Sequence, residues 1–334
     1  MSRAARAFWM VGPSSGEMRS VELPPTGPGE VLVRTLHTAV SRGTETLVFQ
    51  GRVPASQYAV MRAPFQDGDF PWPVKYGYLN VGTVEEGPAH LLGRTVFSLY
   101  PHQSAFVVPV EAVSVVPDDV PAERAVLGGT VETAVNAMWE AAPLVGDRVA
   151  VVGAGMVGCC VARLMGRVPG AQVTLVDVDP SRATVASALD VGFADAAEVG
   201  DLVGSCDLVV HTSATSAGLQ LSLDLLAAEG SVIELSWYGT NEVRLALGGT
   251  FHSGRLSIRA SQVGEVAPAR RSRRSRADRL RIALDLLRDP AFDALLTGRS
   301  AFEELPAVME QLADGRLPAI CHTIAYSEGE RCSV

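Results

Sequence analysis

Val149-Ala150-Val151-Val152 runs straight into Gly153-Ala154-Gly155-Met156-Val157-Gly158, and this stretch decides the fold. Four apolar residues without polar alternation read as a strand buried on both faces, the kind found in parallel sheets. The hexad that follows has the spacing G-x-G-x-x-G and opens onto a helical segment. In that context Gly153 permits a tight turn, Gly155 lets the backbone approach a pyrophosphate, and Gly158 lets helix and strand pack closely. The unpaired N–H groups of Met156, Val157 and Gly158 at the helix start favour phosphate, helped by the helix dipole.

The next strand ends at Asp177-Val178, with Asp177 nineteen residues beyond Gly158. An acid at that place accepts hydrogen bonds from the adenosine ribose and repels a 2′-phosphate, so NAD(H) is favoured and NADP(H) is left open. Arg182 either flanks that ribose or is simply solvated. Thr212-Ser213-Ala214 and Leu235-Ser236-Trp237 follow two later strands, at the carboxyl ends where open α/β sheets hold ligands. Trp237 reads as pocket wall or interface core.

Outward from this centre, helix and strand alternate from Val149 to Leu235, the pattern of a doubly wound parallel sheet. Before it, short strands such as Val31–Arg34, Val81–Val84 and Phe106–Pro109, separated by Gly and Pro turns, predict a partly closed β-barrel. After it come a basic stretch, two helices and a last strand, Cys321–Tyr326. The fold class is α/β, divided as residues 1–130, then a dinucleotide-binding domain over 131–263, then a return to the first domain over 264–334.

The chain has 334 residues and a net charge of −9, which argues against general nucleic-acid binding. No apolar run is long enough to span a membrane and the start lacks a secretory core, so a cytoplasmic protein is expected. Lys75 is the only lysine among 28 basic residues, a bias that says nothing about function. The five cysteines (Cys159, Cys160, Cys206, Cys321 and Cys332) form no C-x-x-C pair, so neither a disulfide scaffold nor a zinc knot is expected.

Four further blocks give the sequence a family likeness. Gly27-Pro28-Gly29-Glu30-Val31-Leu32-Val33, Arg42-Gly43-Thr44-Glu45, Gly77-Tyr78-Leu79-Asn80-Val81-Gly82 and the final strand, in this order around the glycine-rich turn, resemble the medium-chain dehydrogenase/reductase superfamily. The resemblance covers nearly the whole chain. It implies a GroES-like barrel domain, a Rossmann domain, hydride transfer with a nicotinamide cofactor, a small-molecule substrate and a homodimer. In zinc-dependent members the corresponding places carry cysteine, histidine and cysteine; here they carry Arg42, Tyr78 and Gly129. Zinc needs about four thiolate, imidazole or carboxylate donors, so no metal is expected. Ser41-Arg42-Gly43-Thr44-Glu45 is also similar to a variant in zinc-free relatives, including bacteriochlorophyllide dehydrogenases.

Without a Lewis acid, a side chain must stabilise the oxyanion or move the hydroxyl proton, or the substrate must carry its own activation. By aligned position the candidates are Thr44 (proton relay or loop turn), Tyr78 (phenol at the vacated site or packed ring), His102 (acid–base or structural) and Glu132 (base or helix-dipole partner). Arg42 and Tyr100 are placed at the substrate pocket by the same resemblance. Arg270, Arg271, Arg273, Arg274, Arg276 and Arg279 form a solvated loop and helix start, an anion site, or a 2′-phosphate contact. These readings together point to a zinc-independent alcohol or polyol dehydrogenase or ketone reductase. An NADPH-dependent enoyl or quinone reductase and a non-catalytic cofactor-binding protein, such as a lens crystallin, are the alternatives.

Overall fold

The computed structural model describes residues 3–327, and Cys332 lies outside them. The chain forms two compact units. One runs to Gly129 and also takes Leu284–Arg288 and the chain from Leu296 onward; the other is Thr130–Ala283 with Asp289–Leu295. The arginine-rich stretch thus groups with the second unit, whereas the sequence returns the chain to the first at residue 264.

The first unit contains β1 (Arg3–Gly12), β2 (Ser15–Leu23), β3 (Glu30–Val40), α1 (Arg42–Phe49), β4 (Asp67–Gly68), β5 (Val74–Lys75), β6 (Asn80–Glu86), β7 (Thr95–Ser98), β8 (Ala105–Pro109), β9 (Val113–Val115) and α2 (Ala122–Ala125). A sheet of order β2-β1-β5-β4 accompanies a second one that includes β3, β6, β7 and β9 in sequence, with β8 also pairing β3. Val31, Val33, Val84, Val96, Phe106 and Val108 point inward from four of these strands and fill the barrel core. That inward alternation is what closes short, Gly-punctuated strands around one core. The β1–β2 hairpin was not legible in the sequence, because β2 is largely polar and only its last residue, Leu23, is buried.

The second unit is α/β and doubly wound. It comprises α3 (Gly128–Ala141, which begins at the boundary), β10 (Arg148–Val152), α4 (Met156–Met165), β11 (Gln172–Asp177), α5 (Arg182–Ala188), β12 (Gly192–Asp195), β13 (Cys206–His211), α6 (Ser216–Leu225), β14 (Leu226–Glu234), α7 (Thr250–Ser253), β15 (Ser257–Ala260) and α8 (Arg276–Leu286). Its six strands lie in the order β12-β11-β10-β13-β14-β15, and every neighbouring pair is parallel. Val149 to Val152 are all buried, as a central parallel strand requires. β16 (Leu296–Ala301), α9 (Leu305–Ala313) and β17 (Cys321–Ala325) return to the barrel sheet, where β17 pairs antiparallel with β3.

The stretch from Ala122 to Ala141 forms two helices, α2 and α3, because Leu127 makes a tight bond back to Arg124 and the Gly128-Gly129 pair weakens continuity. α6 ends at Leu225, where β14 begins. Among the described residues no helix is long and apolar enough to cross a membrane.

Candidate active site

In the second unit, the chain winds from β10 outward to β12 and then crosses back to β13, so the topological switch lies between β10 and β13. Ligand-binding crevices form at such a point, outside the carboxyl ends of the strands. Gly153 leaves β10 with φ +108°, and a Cβ there would stand 2.7 Å from Thr212 Oγ1. A Cβ on Gly158 would stand 1.9 Å from the Gly153 carbonyl oxygen, so only glycine lets α4 descend onto the turn. Gly155, the residue before α4, is exposed and has nothing within 4 Å of where its Cβ would be. The open face lies where a pyrophosphate must approach; the closed faces hold the turn in shape. Met156 is buried beneath the helix start and Val157 is half-buried.

Thr212 Oγ1 donates to the Gly153 carbonyl at 2.8 Å, tying the loop after β13 to the glycine turn. Asp177 Oδ2 accepts from Ala154 N at 2.6 Å and Oδ1 from Asp179 N at 2.9 Å, which fixes the carboxylate at the end of β11. Beside it Val178 is 81% exposed. Arg182 pairs with Asp179 at 3.2 Å instead of lying free beside Asp177. Leu235, Ser236 and Trp237 are half-buried after β14, and Ala214 turns with φ +54° after β13.

A network at these same strand ends was not foreseen. His211 and Glu234 are the last residues of β13 and β14 and are register partners. His211 Nδ1 lies 2.8 Å from Glu234 Oε2, and Nε2 lies 2.7 Å from Ser213 Oγ. The Tyr238 phenol donates to Glu234 Oε2 at 2.8 Å. Burial pushes the Glu234 carboxyl up, but hydrogen bonds and charge from His211 outweigh it, and the group titrates below its ordinary range. The only sequence signal was a histidine and a glutamate each closing an apolar strand.

In the first unit, a buried polar cluster forms around α1. Glu45 is fully buried; Oε1 accepts from Ser41 N at 2.8 Å, and Oε2 lies 2.9 Å from His102 Nε2. A carboxylate only accepts, so Nε2 carries the proton and Nδ1, 2.7 Å from Thr38 Oγ1, accepts from that hydroxyl. Thr38 Oγ1 in turn meets the Tyr326 phenol at 3.3 Å. His102 is 1% exposed with both ring nitrogens engaged, a buried pair with Glu45.

Tyr78 donates to Ser41 Oγ at 2.7 Å and is hydrogen-bonded by Thr44, so three hydroxyls converge. Burial, and then the Glu45 charge, push the Tyr78 phenol up to about 12. Arg42 is exposed at the start of α1. At Gly129 a Cβ would stand 2.7 Å from Leu79 Cδ2, so that position is packed with apolar side chains. Among the described residues no three His, Cys, Asp or Glu side chains gather as a metal-ligand group.

Two other candidates have structural partners. Tyr100 stacks on Phe106 at 3.8 Å between ring centroids and belongs to the barrel core. Glu132 is buried and pairs with Arg279, whose Nη2 lies 3.0 Å away. Arg279 is 1% exposed and also donates to Asn136 Oδ1 at 2.6 Å and to the Glu265 carbonyl at 3.1 Å. It clamps the base of the arginine-rich loop and does not belong to an exposed anion site. Arg270, Arg271, Arg273, Arg274 and Arg276 are exposed, Arg276 pairing with Glu265. Their loop leaves the sheet from β15, four strands away from Asp177 on β11.

No family model and no curated protein sequence matches this chain. Solved structures do. 2R,3R-butanediol dehydrogenase from Bacillus subtilis is 15% identical over 96% of this chain and 99% of that one, with a TM-score of 0.76. L-idonate 5-dehydrogenase from Escherichia coli K-12 is 14% identical over 97% and 99%, with a TM-score of 0.76. A short chain alcohol dehydrogenase from E. coli CFT073, complexed with NADH, is 14% identical over 97% and 99%, with a TM-score of 0.75. The chain has their fold, a GroES-like barrel joined to a Rossmann sheet.

Proposed function

We propose that this protein is a nicotinamide-dependent oxidoreductase of the medium-chain type that interconverts an alcohol and a ketone without a bound zinc ion. The observation that carries the reading is the Tyr78 phenol. It stands where the resemblance expects a histidine ligand, held by the Ser41 and Thr44 hydroxyls, while Arg42 and the packed Gly129 stand at the other two ligand places. Fold likeness to alcohol and polyol dehydrogenases supports the reaction class.

The crevice of the second unit fits a dinucleotide: Gly155 leaves its face open, α4 offers its first N–H groups, and Asp177 is fixed at the ribose position. A bound nicotinamide supplies or accepts the hydride. With a pKa near 12, Tyr78 stays protonated at neutral pH; its one hydrogen, given to Ser41 Oγ in the free protein, turns to the substrate oxygen as negative charge develops there, and the Ser41 hydroxyl then donates to the phenol oxygen. Thr44 and Ser41 orient that phenol, and the Glu45–His102 pair fixes the start of α1 from which Ser41 and Thr44 project. Asp177 favours NAD(H), and strand β15, solvent-exposed at the sheet edge, supports pairing into a homodimer.

The test is titration of metal-analysed protein with NADH and NADPH, followed by tryptophan fluorescence, and then a panel of secondary alcohols, polyols and ketones. NADH binding, no stoichiometric zinc and turnover on the panel are expected. Bound zinc overturns the metal-free reading. Strong NADPH preference with turnover only on conjugated enones moves the assignment to double-bond reduction, and tight binding without turnover makes the protein a non-catalytic binder.

A further inference from the structure

His211 joins the two loops that border the cofactor crevice. On one side, Nε2 meets Ser213 Oγ at 2.7 Å, and Ser213 Oγ lies 3.0 Å from Thr215 Oγ1, which accepts from Gly218 N. On the other, Nδ1 faces both Glu234 oxygens at 3.0 and 2.8 Å. Glu234 Oε1 accepts from Ser236 N at 2.7 Å, and Ser236 Oγ accepts from Ala214 N at 3.1 Å, closing the ring of contacts. The first turn of α6 seals it: a Cβ on Gly218 would stand 2.1 Å from Ser213 Oγ and 2.9 Å from His211 Nε2. His211 is fully buried while Ser213 keeps partial exposure at the strand ends.

We propose that His211 is a positioning residue for the dinucleotide, setting whether the Ser213 hydroxyl presents a lone pair or a hydrogen to the crevice. The proposal rests on reading this crevice as the nicotinamide cofactor site. With Glu234 accepting at Nδ1, the neutral ring carries its proton there, so Nε2 accepts and Ser213 must donate inward. Its lone pairs then face outward, able to accept from a ribose hydroxyl or carboxamide amine. When the ring takes a second proton, Nε2 donates to Ser213 Oγ, and the Ser213 hydrogen turns away. A single protonation thus inverts the polarity of a hydroxyl at the ligand edge.

The groups facing His211 are few. Glu234 comes from β14, Ser236 and Tyr238 from the loop after it, Ser213 from its own loop, and α6 presents the backbone of Gly218. Asp224, the acid on α6, is held by Gln220 at the far end of the helix. Burial and the Glu234 carboxylate keep the Tyr238 phenol neutral well beyond its ordinary range. The imidazole is therefore the group of this network whose protonation reverses the Ser213 hydrogen bond.

The experiment is NADH titration of the full-length protein, followed by tryptophan fluorescence, between pH 5.5 and 8.5. One hydrogen bond exchanged for a mismatch predicts wild-type affinity about 3- to 10-fold tighter at the upper end. Ser213→Ala and His211→Gln should each flatten that step, and Glu234→Gln should move it to lower pH by removing the counter-charge of the imidazolium. If His211→Gln does not fold, Ser213→Ala reads the same effect without touching the buried pair. A wild-type profile that binds NADH but is flat or reversed overturns the proposal alone, as does a step that survives in Ser213→Ala. Failure of the wild type to bind NADH or NADPH at any pH overturns the cofactor reading and this proposal with it.

Discussion

His102 Nε2 lies 2.9 Å from Glu45 Oε2 inside the barrel unit, with the two side chains 1% and 0% exposed. The pair is screened from water, and Ser41 N and Thr38 Oγ1 satisfy the remaining groups, so the cluster behaves as one unit. Buried polar groups are stabilising only when all of their partners are present. Glu45→Ala strands His102 Nε2–H and the Ser41 amide, and should lower stability by about 2 kcal/mol. Glu45→Gln keeps one acceptor oxygen and should lose less. Urea unfolding followed by circular dichroism separates the two; equal losses would show that the pair is not acting through its hydrogen bonds.

Two glycines of the same motif should fail differently. Gly158→Ala forces a Cβ to 1.9 Å from the Gly153 carbonyl, so the protein should lose stability along with cofactor binding. Gly155→Ala meets nothing in the free protein, so its melting temperature should stay within about 1–2 °C of wild type, as for a surface change. NADH affinity should nevertheless fall by about tenfold or more, because the added methyl occupies the phosphate approach. Thermal melts with and without NADH read both effects.

Tyr78→Phe removes the hydrogen-bond donor on which the proposed mechanism rests and should lower kcat by about 10²- to 10³-fold with little change in NADH affinity. Because the phenol titrates near 12, no alkaline loss of activity below roughly pH 11 should come from Tyr78. The sign is fixed: the neutral, donating form is the one present below that value. A wild-type alkaline limb near pH 10 that vanishes in the phenylalanine variant would contradict the shifted phenol.

Arg279 is the cation of a buried pair with Glu132 in the second unit. Arg279→Met leaves the Glu132 carboxylate buried without its partner and frees the Asn136 and Glu265 acceptors, a loss of about 3–5 kcal/mol. The double change Arg279→Met with Glu132→Met should recover part of it, because the unpaired charge is gone. Denaturant unfolding of the two single variants and the double gives the coupling. Additivity would rule out the pairing as the source of stability.

The sequence alone determined the strand–turn–helix unit and the parallel sheet. These are local matters: an apolar run that tolerates no exposure, and a glycine, Gly158, whose Cβ would meet the backbone of Gly153 in the same turn. It also placed Thr44, Tyr78 and Asp177, since each lies at a fixed distance from such a motif. What the side chains of the site are bonded to was decided only by tertiary structure. His102 meets Glu45 across 57 residues, Tyr78 meets Ser41 across 37, and Arg279 meets Glu132 across 147. Burial makes these pairings obligatory, because a polar group removed from water must find a partner, but which partner depends on strands and helices that sequence spacing does not bring together. For that reason Glu132 read as a base or a helix-dipole partner, and its pairing with Arg279 was visible only in the structure. The His211–Glu234 pair, set by the register of two parallel strands, gave no local signal at all.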